Sequence, residues 1–428
     1  GIRDSSVTGV QTCALPISTA MTTSMTLTGT FVCQNFTTSG RGSTGMNSIV
    51  LGGNLTVNGT FLANSGGSST TRSFFQSSAI GTQRTLSIAT FSASCTDLDF
   101  RDIAVTGTAS PINDAGRTLR LGDCGNNSGI TFSAGVPKYW VGGTTNWGTT
   151  SWSSASGGGA TAADFPLSQD TATFDDASAA GITVTINAVY NIGSVSFSGR
   201  TTRAITFTVS AAVSLYGSLT LSSQVTYSGT STLSFTGQGG TQTITLAGQT
   251  LTGAITLNGT GTYRLGANLA IGSTLTTTLT TGTIDLQTYT WSTGIFSSTG
   301  TTVRSVAFGT GKILLTGNNG TIWSMSNGTN YTATGNKTVE SNYAGAVGFR
   351  LIASGDNPAA SVTESAAPNI VVTGSGTDKF TFQVSAAQSR VGNLDLSGFA
   401  GPIGDSTSGN RNAPPVIFGN LTLNAASN

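Results

Sequence analysis

The sequence GSLTL at residues 217–221 decides the fold, because close copies of it recur along the chain. The copies are GNLTV at 53–57, GAITL at 253–257 and GNLTL at 419–423, with looser forms GSVSF at 193–197, GTIDL at 282–286, GKILL at 311–315 and GNLDL at 392–396. In most copies apolar residues alternate with short polar ones, which is the period of a strand with one buried face. The intervals between copies are 24 (from 193 to 217), 29 (from 253 to 282 and from 282 to 311) and 27 (from 392 to 419), spacings that suit single coils of a β-solenoid.

Composition supports strands over helices. The 428 residues include 75 Thr, 54 Ser and 58 Gly but only 35 charged side chains, and no charged residue occurs between Arg203 and Arg264. Helix surfaces are usually made soluble by Glu and Lys, whereas Thr favours strands and Gly favours turns. We therefore predict an all-β protein, a right-handed parallel β-helix or irregular β-solenoid. An array of β-sandwich domains is the alternative, although sandwiches do not require self-similar strands.

Several function classes are excluded by what the chain lacks. It has no His, which removes Ser-His-Asp and Cys-His catalysis and His-based zinc sites. A formal net charge of +1 gives no electrostatic reason to bind nucleic acid, and no run of 18 apolar residues is present. The sequence predicts no metal site, no cofactor, no nucleic-acid partner and no membrane insertion.

Breaks in the repeat suggest the domain organisation. The run VTGVQTCALPI at 7–17 resembles the translation of a widely used short-read sequencing adapter, so we expect residues 1–18 to be an artefact of environmental sequence assembly. Tryptophans, prolines and a Gly-Ser run interrupt the strands again near residue 136, and prolines and alanines do so near residue 359. The predicted regions are an N-terminal β-helix region at 19–135, a Trp- and Gly-rich junction at 136–178, a central β-solenoid at 179–358 and truncated C-terminal β repeats at 359–428.

Alternation also predicts a core. We expect residues 191–323 to form one solenoid whose interior is built from alternate positions of the self-similar strands. These positions are Leu219, Leu221, Leu233, Phe235, Ile244, Leu246, Ile255, Leu257, Ile284 and Leu286.

The densest acidic cluster is formed by Asp97, Asp99 and Asp102. In a strand, Asp97 and Asp99 point to one face, as paired carboxylates do when they flank a glycosidic bond. The alternative is that the three carboxylates cap turns or face solvent.

Aromatic residues are concentrated at the predicted junction. Tyr139, Trp140, Trp147 and Trp152 are candidates for carbohydrate binding, since aromatic faces suit the apolar faces of sugars. The alternative is a capping hydrophobic cluster between two repeat regions. Threonine tracts such as 276–278 are similar to ice-binding faces, but we expect no flat Thr-x-Thr array to recur on successive coils.

Cysteine spacing suggests a stacked pair. If Cys13 belongs to the adapter-like segment, Cys33, Cys95 and Cys124 remain. The interval from Cys95 to Cys124 is 29, which equals two of the repeat intervals. Coils about 4.8 Å apart lie within the reach of a disulfide. We predict that Cys95 and Cys124 stack in adjacent coils, bonded in an oxidising compartment or reduced in an apolar interior.

Longer motifs carry a resemblance to known proteins. YWVGGTTNW at 139–147 followed by FPLSQDTATFDDAS at 165–178 resembles the opening of repeat-rich, tail-fibre-like virion-surface proteins of environmental phages, and is similar to strand repeats of autotransporter passengers. CTDLDFRDI at 95–103 with GDCGNNSGITF at 122–132 resembles rungs of right-handed β-helices in the same proteins, and NLDLSGFAGPI at 393–403 resembles their later repeats.

The resemblance implies a non-enzymatic structural or adhesive protein, extracellular or on a virion surface. A bacterial secreted adhesin or autotransporter passenger is the second hypothesis, and a polysaccharide-cleaving β-helix enzyme is the third. Expected partners are a cell-surface glycan or receptor and further copies of the chain, since exposed strand edges at a solenoid end invite pairing. By analogy with fibres we expect a homo-oligomer, a trimer.

Overall fold

The computed structural model describes residues 16–17, 24–346, 348–354, 361–382, 388–404 and 415–424. Apart from Pro16–Ile17, the adapter-like segment with Cys13 lies outside the described residues. The chain forms a β-solenoid of about 16 turns with parallel strands stacked from turn to turn. The predicted all-β solenoid is therefore confirmed. The alternative of β-sandwich domains is wrong, because sandwich sheets are antiparallel and the strands here pair in parallel from coil to coil.

Short strands follow one another along the whole described chain. In the first part they are β1 (Pro16–Ile17), β2 (Met25–Leu27), β3 (Phe31–Cys33), β4 (Phe36–Thr38), β5 (Gly45–Leu51), β6 (Leu55–Ala63), β7 (Thr71–Ser77), β8 (Arg84–Phe91), β9 (Leu98–Arg101), β10 (Ile103–Thr106), β11 (Ile112–Asn113), β12 (Gly122–Asp123), β13 (Ile130–Thr131), β14 (Pro137–Trp140), β15 (Thr145–Asn146), β16 (Trp152–Ser153), β17 (Thr171–Asp175), β18 (Ile182–Ile186), β19 (Tyr190–Ile192) and β20 (Ser194–Gly199).

The later strands are of the same kind. They are β21 (Ile205–Val209), β22 (Val213–Leu215), β23 (Leu219–Thr220), β24 (Val225–Ser228), β25 (Leu233–Phe235), β26 (Thr241–Thr245), β27 (Thr250–Leu251), β28 (Ile255–Leu265), β29 (Leu269–Ile271), β30 (Thr276–Asp285), β31 (Thr290–Thr293), β32 (Ile295–Ser297), β33 (Arg304–Ala307), β34 (Lys312–Leu315), β35 (Asn319–Met325), β36 (Tyr331–Thr334), β37 (Thr338–Ser341), β38 (Phe349–Ser354), β39 (Asn369–Val372), β40 (Lys379–Phe382), β41 (Arg390–Val391), β42 (Leu394–Leu396), β43 (Val416–Ile417) and β44 (Leu421–Leu423). Helical structure in the described residues consists of two short 3₁₀ turns, Ala162–Asp164 and Glu364–Ala366.

The chain divides into two compact units. The first comprises the residues up to Thr173 together with Ile186–Ser194, and the second comprises Phe174–Thr185 together with the chain from Val195 onward. The predicted boundaries of the N-terminal, junction, central and C-terminal regions stay predictions.

Parallel sheets surround one apolar core in the first unit. One sheet has the strand order β12-β9-β7-β5-β2, another runs β10-β8-β6-β4-β1 with β3 also paired to β6, and β11 pairs with β13 in a small third sheet. The coil-to-coil offset in sequence varies, because Ile49 pairs with Phe75, an offset of 26, whereas Leu86 pairs with Val105, an offset of 19. Length differences are therefore absorbed at the corners between strands while the inward positions stay in register.

The Trp-rich segment departs from this parallel pattern. Tyr139 pairs with Ser153 and Trp140 pairs with Trp152 in an antiparallel hairpin of β14 and β16. On its other side β14 pairs in parallel with β17, where Lys138 lies opposite Ala172.

Each coil in the middle of the second unit has three faces. The first face stacks residues 233–235, 255–257 and 277–279, the second stacks 241–244, 262–265 and 283–285, and the third stacks 250–251, 269–271 and 290–293. Strands β28 and β30 bend, so that each serves both the first and the second face. All ten predicted core residues are at most 3% exposed, which confirms the prediction from alternation.

The predicted coil length is right at two intervals and wrong at two. Val195 pairs with Leu219 and Leu394 pairs with Leu421, which reproduces the offsets of 24 and 27. Ile284, however, pairs with Tyr263 and Val306, at offsets of 21 and 22 instead of 29. The copies beginning at 253, 282 and 311 lie on the first, second and third faces, respectively. They resemble one another although they lie on different faces, because every strand of a coil has the same inward alternation.

Outward positions also align. On the first face a column of six hydroxyl side chains runs over consecutive coils, formed by Ser214, Ser234, Thr256, Thr278, Ser297 and Ser324. The second face has a similar column of Thr241, Thr262, Thr283, Ser305 and Thr332. The neighbouring column on that face is interrupted by the ion pair of Arg264 with Asp285. The hydroxyl columns on these two faces are single, and the described coils form no doubled Thr-x-Thr array there, as expected from the sequence.

Buried arginines close several corners of the second unit. Arg200 donates to the main-chain oxygens of Asp175, Ser178, Ala179 and Ala204, and it is 1% exposed. Arg304 binds the Ser298 hydroxyl at 2.7 Å and the Thr329 oxygen at 2.8 Å. Burial lowers the pKa of both Arg200 and Arg304. Strands end at corners, where carbonyls lose their ladder partners, and a guanidinium with five donors satisfies several at once.

A glycine fixes the corner between the first and second faces. Gly282 has a φ of +86°, and a Cβ atom added there would lie 2.3 Å from the Gly259 oxygen of the preceding coil. We expect Gly282→Ala to destabilise the second unit by about 2–4 kcal/mol, from a left-handed backbone together with the clash. The measurement is the shift in the midpoint of urea unfolding.

Gly300→Ala is the matched control, because a Cβ there would meet only the Thr302 hydroxyl at 3.8 Å. Equal midpoints for the two variants would contradict the assignment of Gly282 to a crowded corner.

Candidate functional site

The acidic cluster lies in the interior of the first unit. Asp99 belongs to β9, while Asp97 precedes this strand and Asp102 follows it, both with left-handed backbone at φ of 60° and 58°. All three side chains are 0% exposed. Because Asp97 lies outside the strand, it does not share the alternation on which the predicted carboxylate pair depended.

Arginines neutralise two of these carboxylates. Arg72 contacts Asp99 Oδ1 through Nε at 3.0 Å and Nη2 at 2.5 Å, and its Nη1 lies 3.5 Å from Asp97. Arg120 binds Asp97 with two parallel hydrogen bonds of 2.7 and 2.5 Å. Asn191 donates to the second oxygen of Asp99 at 3.1 Å. Burial disfavours the charge of Arg72, but the carboxylates of Asp99 and Asp97 act in the opposite direction, and the Arg72 pKa is raised above its ordinary value.

Asp102 is held by a separate set of donors. Its oxygens accept hydrogen bonds from Asn126 Nδ2 at 2.6 Å, the Gly81 amide at 3.1 Å and Arg101 Nε at 3.2 Å. Burial raises the pKa of Asp102, and these donors act in the opposite direction. A glycosidase needs two carboxyl groups that flank an open substrate site. All three carboxylates are buried and hydrogen-bonded within the protein, so both the predicted catalytic arrangement and the alternative that they face solvent are wrong. The hydrogen bond from the Gly81 amide to Asp102 agrees with the alternative of turn capping.

The ion pairs make a direct prediction for stability. Asp99→Asn leaves the buried Arg72 with Asp97, which lies 3.5 Å away and is already paired with Arg120, so we expect a loss of about 3–5 kcal/mol in the free energy of unfolding. Urea unfolding followed by tryptophan fluorescence measures this loss.

Glu340→Gln is the control. Glu340 pairs with Lys312 at 2.5 Å in the second unit, where both side chains are partly exposed, and such pairs contribute about 0–1 kcal/mol. Comparable losses in the two variants would show that the burial of Asp99 is not what matters.

The aromatic candidates at the junction form a packed cluster. Trp152 meets Trp140 edge-to-face at 5.1 Å and Trp147 at 4.7 Å, and its indole N–H donates to the Trp147 oxygen. The three indoles are at most 1% exposed, while Tyr139 is half-buried. A sugar ring stacks only on an accessible face, so carbohydrate binding by Trp140, Trp147 and Trp152 is corrected to a hydrophobic packing role.

Cys33, Cys95 and Cys124 are buried, and Cys95 and Cys124 are thiols that are not bonded to each other. Gly122 pairs with Asp99 and Asp123 with Phe100, an offset of 23, and the Cys124 amide donates to the Phe100 oxygen at 2.9 Å. This register places Cys124 beside the Asp99–Arg101 strand and not level with Cys95. The predicted rung length of 29 and the disulfide of Cys95 with Cys124 are therefore corrected to separate thiols.

Burial also makes these thiols unreactive. It raises the pKa of Cys95 to about 11, and burial together with the charge of Asp99 raises the pKa of Cys124 well above its ordinary value. Thiolates are the reactive form. We expect iodoacetamide at about pH 8 to leave Cys95 and Cys124 unmodified in the native chain and to alkylate both in guanidinium, as measured by peptide mass spectrometry. Rapid alkylation of either native thiol would contradict its burial.

An open groove lies on the first unit, and one of its lining residues, Leu119, accepts a hydrogen bond from the Asp97 amide at 2.8 Å. The groove has a volume of about 470 Å³. Its lining residues are Ala89, Thr90, Phe91, Ala93, Ala109, Pro111, Ile112, Asn113, Thr118 and Leu119. None of these lining side chains is charged, and Thr90, Asn113 and Thr118 are exposed.

Sequence reasoning missed this groove because it joins residues from three separate segments. The available signal was the spacing of Phe36, Phe61 and Phe91, which lie outside the repeated motif yet follow coil-length intervals.

Other site classes lack support in the described residues. No group of three or more His, Cys, Asp and Glu side chains there is arranged to hold a metal ion. Within the same ranges, no helix combines the length and apolar character needed to span a bilayer. Comparisons with protein-family models, with curated proteins and with solved structures gave no match.

Proposed function

We propose that the chain is a non-enzymatic structural or adhesive protein that acts outside the cell, as a tail-fibre-like component of a virion surface. The observation that carries this proposal is the repetition of uncharged hydroxyl columns over consecutive coils of the second unit. Such a surface offers many weak, equivalent hydrogen-bonding positions, which favour multivalent contact over the binding of one small molecule.

The placement of charge supports the same proposal. Asp97, Asp99 and Asp102 are engaged inside the core, and Arg200 and Arg304 bind corner carbonyls. Charged groups are thus used to hold coils together. Polysaccharide cleavage, the third hypothesis, loses the carboxylates on which it rested.

A secreted bacterial adhesin or autotransporter passenger is the alternative, and it would use the same neutral surface. Self-association into a trimer belongs to the proposal as well. Its support is the analogy with fibres alone.

Adhesion by the whole folded chain tests the proposal. Coupled to beads, the chain should bind bacterial cells or their isolated surface polysaccharide saturably. Binding should change by less than about twofold between about 0.05 and 0.5 M NaCl, because salt screens charges and not neutral hydrogen bonds. Light scattering on the same preparation should give the mass of three chains.

Beads carrying the chain denatured in guanidinium are the control and should not bind. The proposal is overturned if the native chain adheres to none of these surfaces, or if it shortens the polysaccharide.

A further inference from the structure

Phenylalanine rings form a ladder through the first unit. Parallel register places Phe36 opposite Phe61 and Phe61 opposite Phe91 on successive coils. The rings of Phe36 and Phe61 stack at 5.3 Å with an interplanar angle of 9°, and those of Phe61 and Phe91 stack at 5.8 Å and 14°. Each ring therefore covers the face of the one before it.

The ladder ends at Phe91. In the next coil β10 stops at Thr106, Gly107 follows with a φ of +87°, and the Ala109 amide donates to the Ile88 oxygen at 3.1 Å. No other described ring stacks on Phe91, and its side chain remains half-buried. Phe91 is one of the residues that line the open groove, together with Ala109 and Leu119 of the following coil.

The groove has a consistent chemistry. Its floor is apolar, with the phenyl ring of Phe91 among small aliphatic groups, and its exposed polar groups are neutral. Asn113 Oδ1 already accepts the Ala115 amide at 3.0 Å, so its side-chain NH₂ is the group left to donate to a ligand. The hydroxyls of Thr90 and Thr118 can both donate and accept.

We propose that this groove binds a neutral saccharide of about one or two rings, with the apolar face of one ring stacked on Phe91 as the next member of the ladder. The inference rests on the proposed adhesive function and names the chemical class of its receptor. An uncharged ligand is required because no lining side chain is charged, and a hydroxyl-rich one matches the neutral polar groups at the rim. An anionic sugar would find no cation among those residues.

Titration of the full chain with neutral disaccharides tests the assignment. The probes are maltose, cellobiose, lactose and N,N′-diacetylchitobiose, observed by saturation-transfer NMR and calorimetry. We expect at least one to bind with a Kd of about 0.1–10 mM. Phe91→Leu, which keeps apolar bulk and removes the aromatic face, should weaken that binding about fivefold or more, and Phe91→Trp should retain it.

Two variants sharpen the result. Asn113→Asp keeps the oxygen that accepts the Ala115 amide but removes the NH₂ donor, so it should also weaken binding. Phe31→Leu changes a phenyl that is 40% exposed outside the groove and should leave the affinity unchanged.

The groove assignment is overturned if none of the four sugars binds at about 10 mM, or if Phe91→Leu binds as the unmodified chain does. Adhesion of beads that carry Phe91→Leu separates the two proposals. Undiminished adhesion removes the groove and leaves the adhesive function in place. Binding of a disaccharide by a chain that adheres to no cell surface removes the adhesive function and leaves the groove.

Discussion

Backbone hydrogen bonds between parallel strands hold neighbouring coils about 4.8 Å apart, and every column in the molecule depends on that spacing. Inward residues such as Leu233 and Ile255 are paired on adjacent coils and form a buried apolar stack. Outward positions such as Ser234 and Thr256 fall on one another as well, without any selection for a surface pattern being needed. The interior and the exterior are thus two consequences of one register.

At the corners the strands end, so main-chain N–H and C=O groups there lose their hydrogen-bond partners in the sheet. A small number of polar side chains supply the missing hydrogen bonds. The main-chain N–H of Asn420 donates to Asn393 Oδ1 at 2.8 Å, and the main-chain N–H of Asn393 donates to Asn369 Oδ1 at 2.9 Å. These asparagines form a ladder of hydrogen bonds along one corner. Arg200 and Arg304 bind several carbonyls each at others. A chain poor in charge therefore places some of its charged groups in its interior.

The strands and their buried faces can be predicted from local sequence, whereas the contacts of the acidic cluster and the groove cannot. Alternation predicts the buried side of strands such as β28, in which buried and more exposed residues alternate along the whole strand. The length of a coil was misjudged where Gly253 and Gly282 begin similar motifs, since strands on different faces obey the same pattern. Asp99 was recognised as special, but its partner Arg72 comes from another coil, and no local signal reports that contact. The groove joins Phe91 to residues of the following coil, and only the stacking of whole coils shows that these segments are neighbours.

The unequal coil lengths indicate which insertions and deletions of residues this fold can accept. The step from Ile49 to Phe75 is longer than the step from Leu86 to Val105, yet both pairs remain in register. A residue gained or lost at a corner alters only a loop, whereas the same change inside a strand would turn every later side chain of that strand to the opposite face. Duplication or loss of one complete coil preserves both the buried stack and the outward columns. The natural step of growth for this architecture is a whole coil.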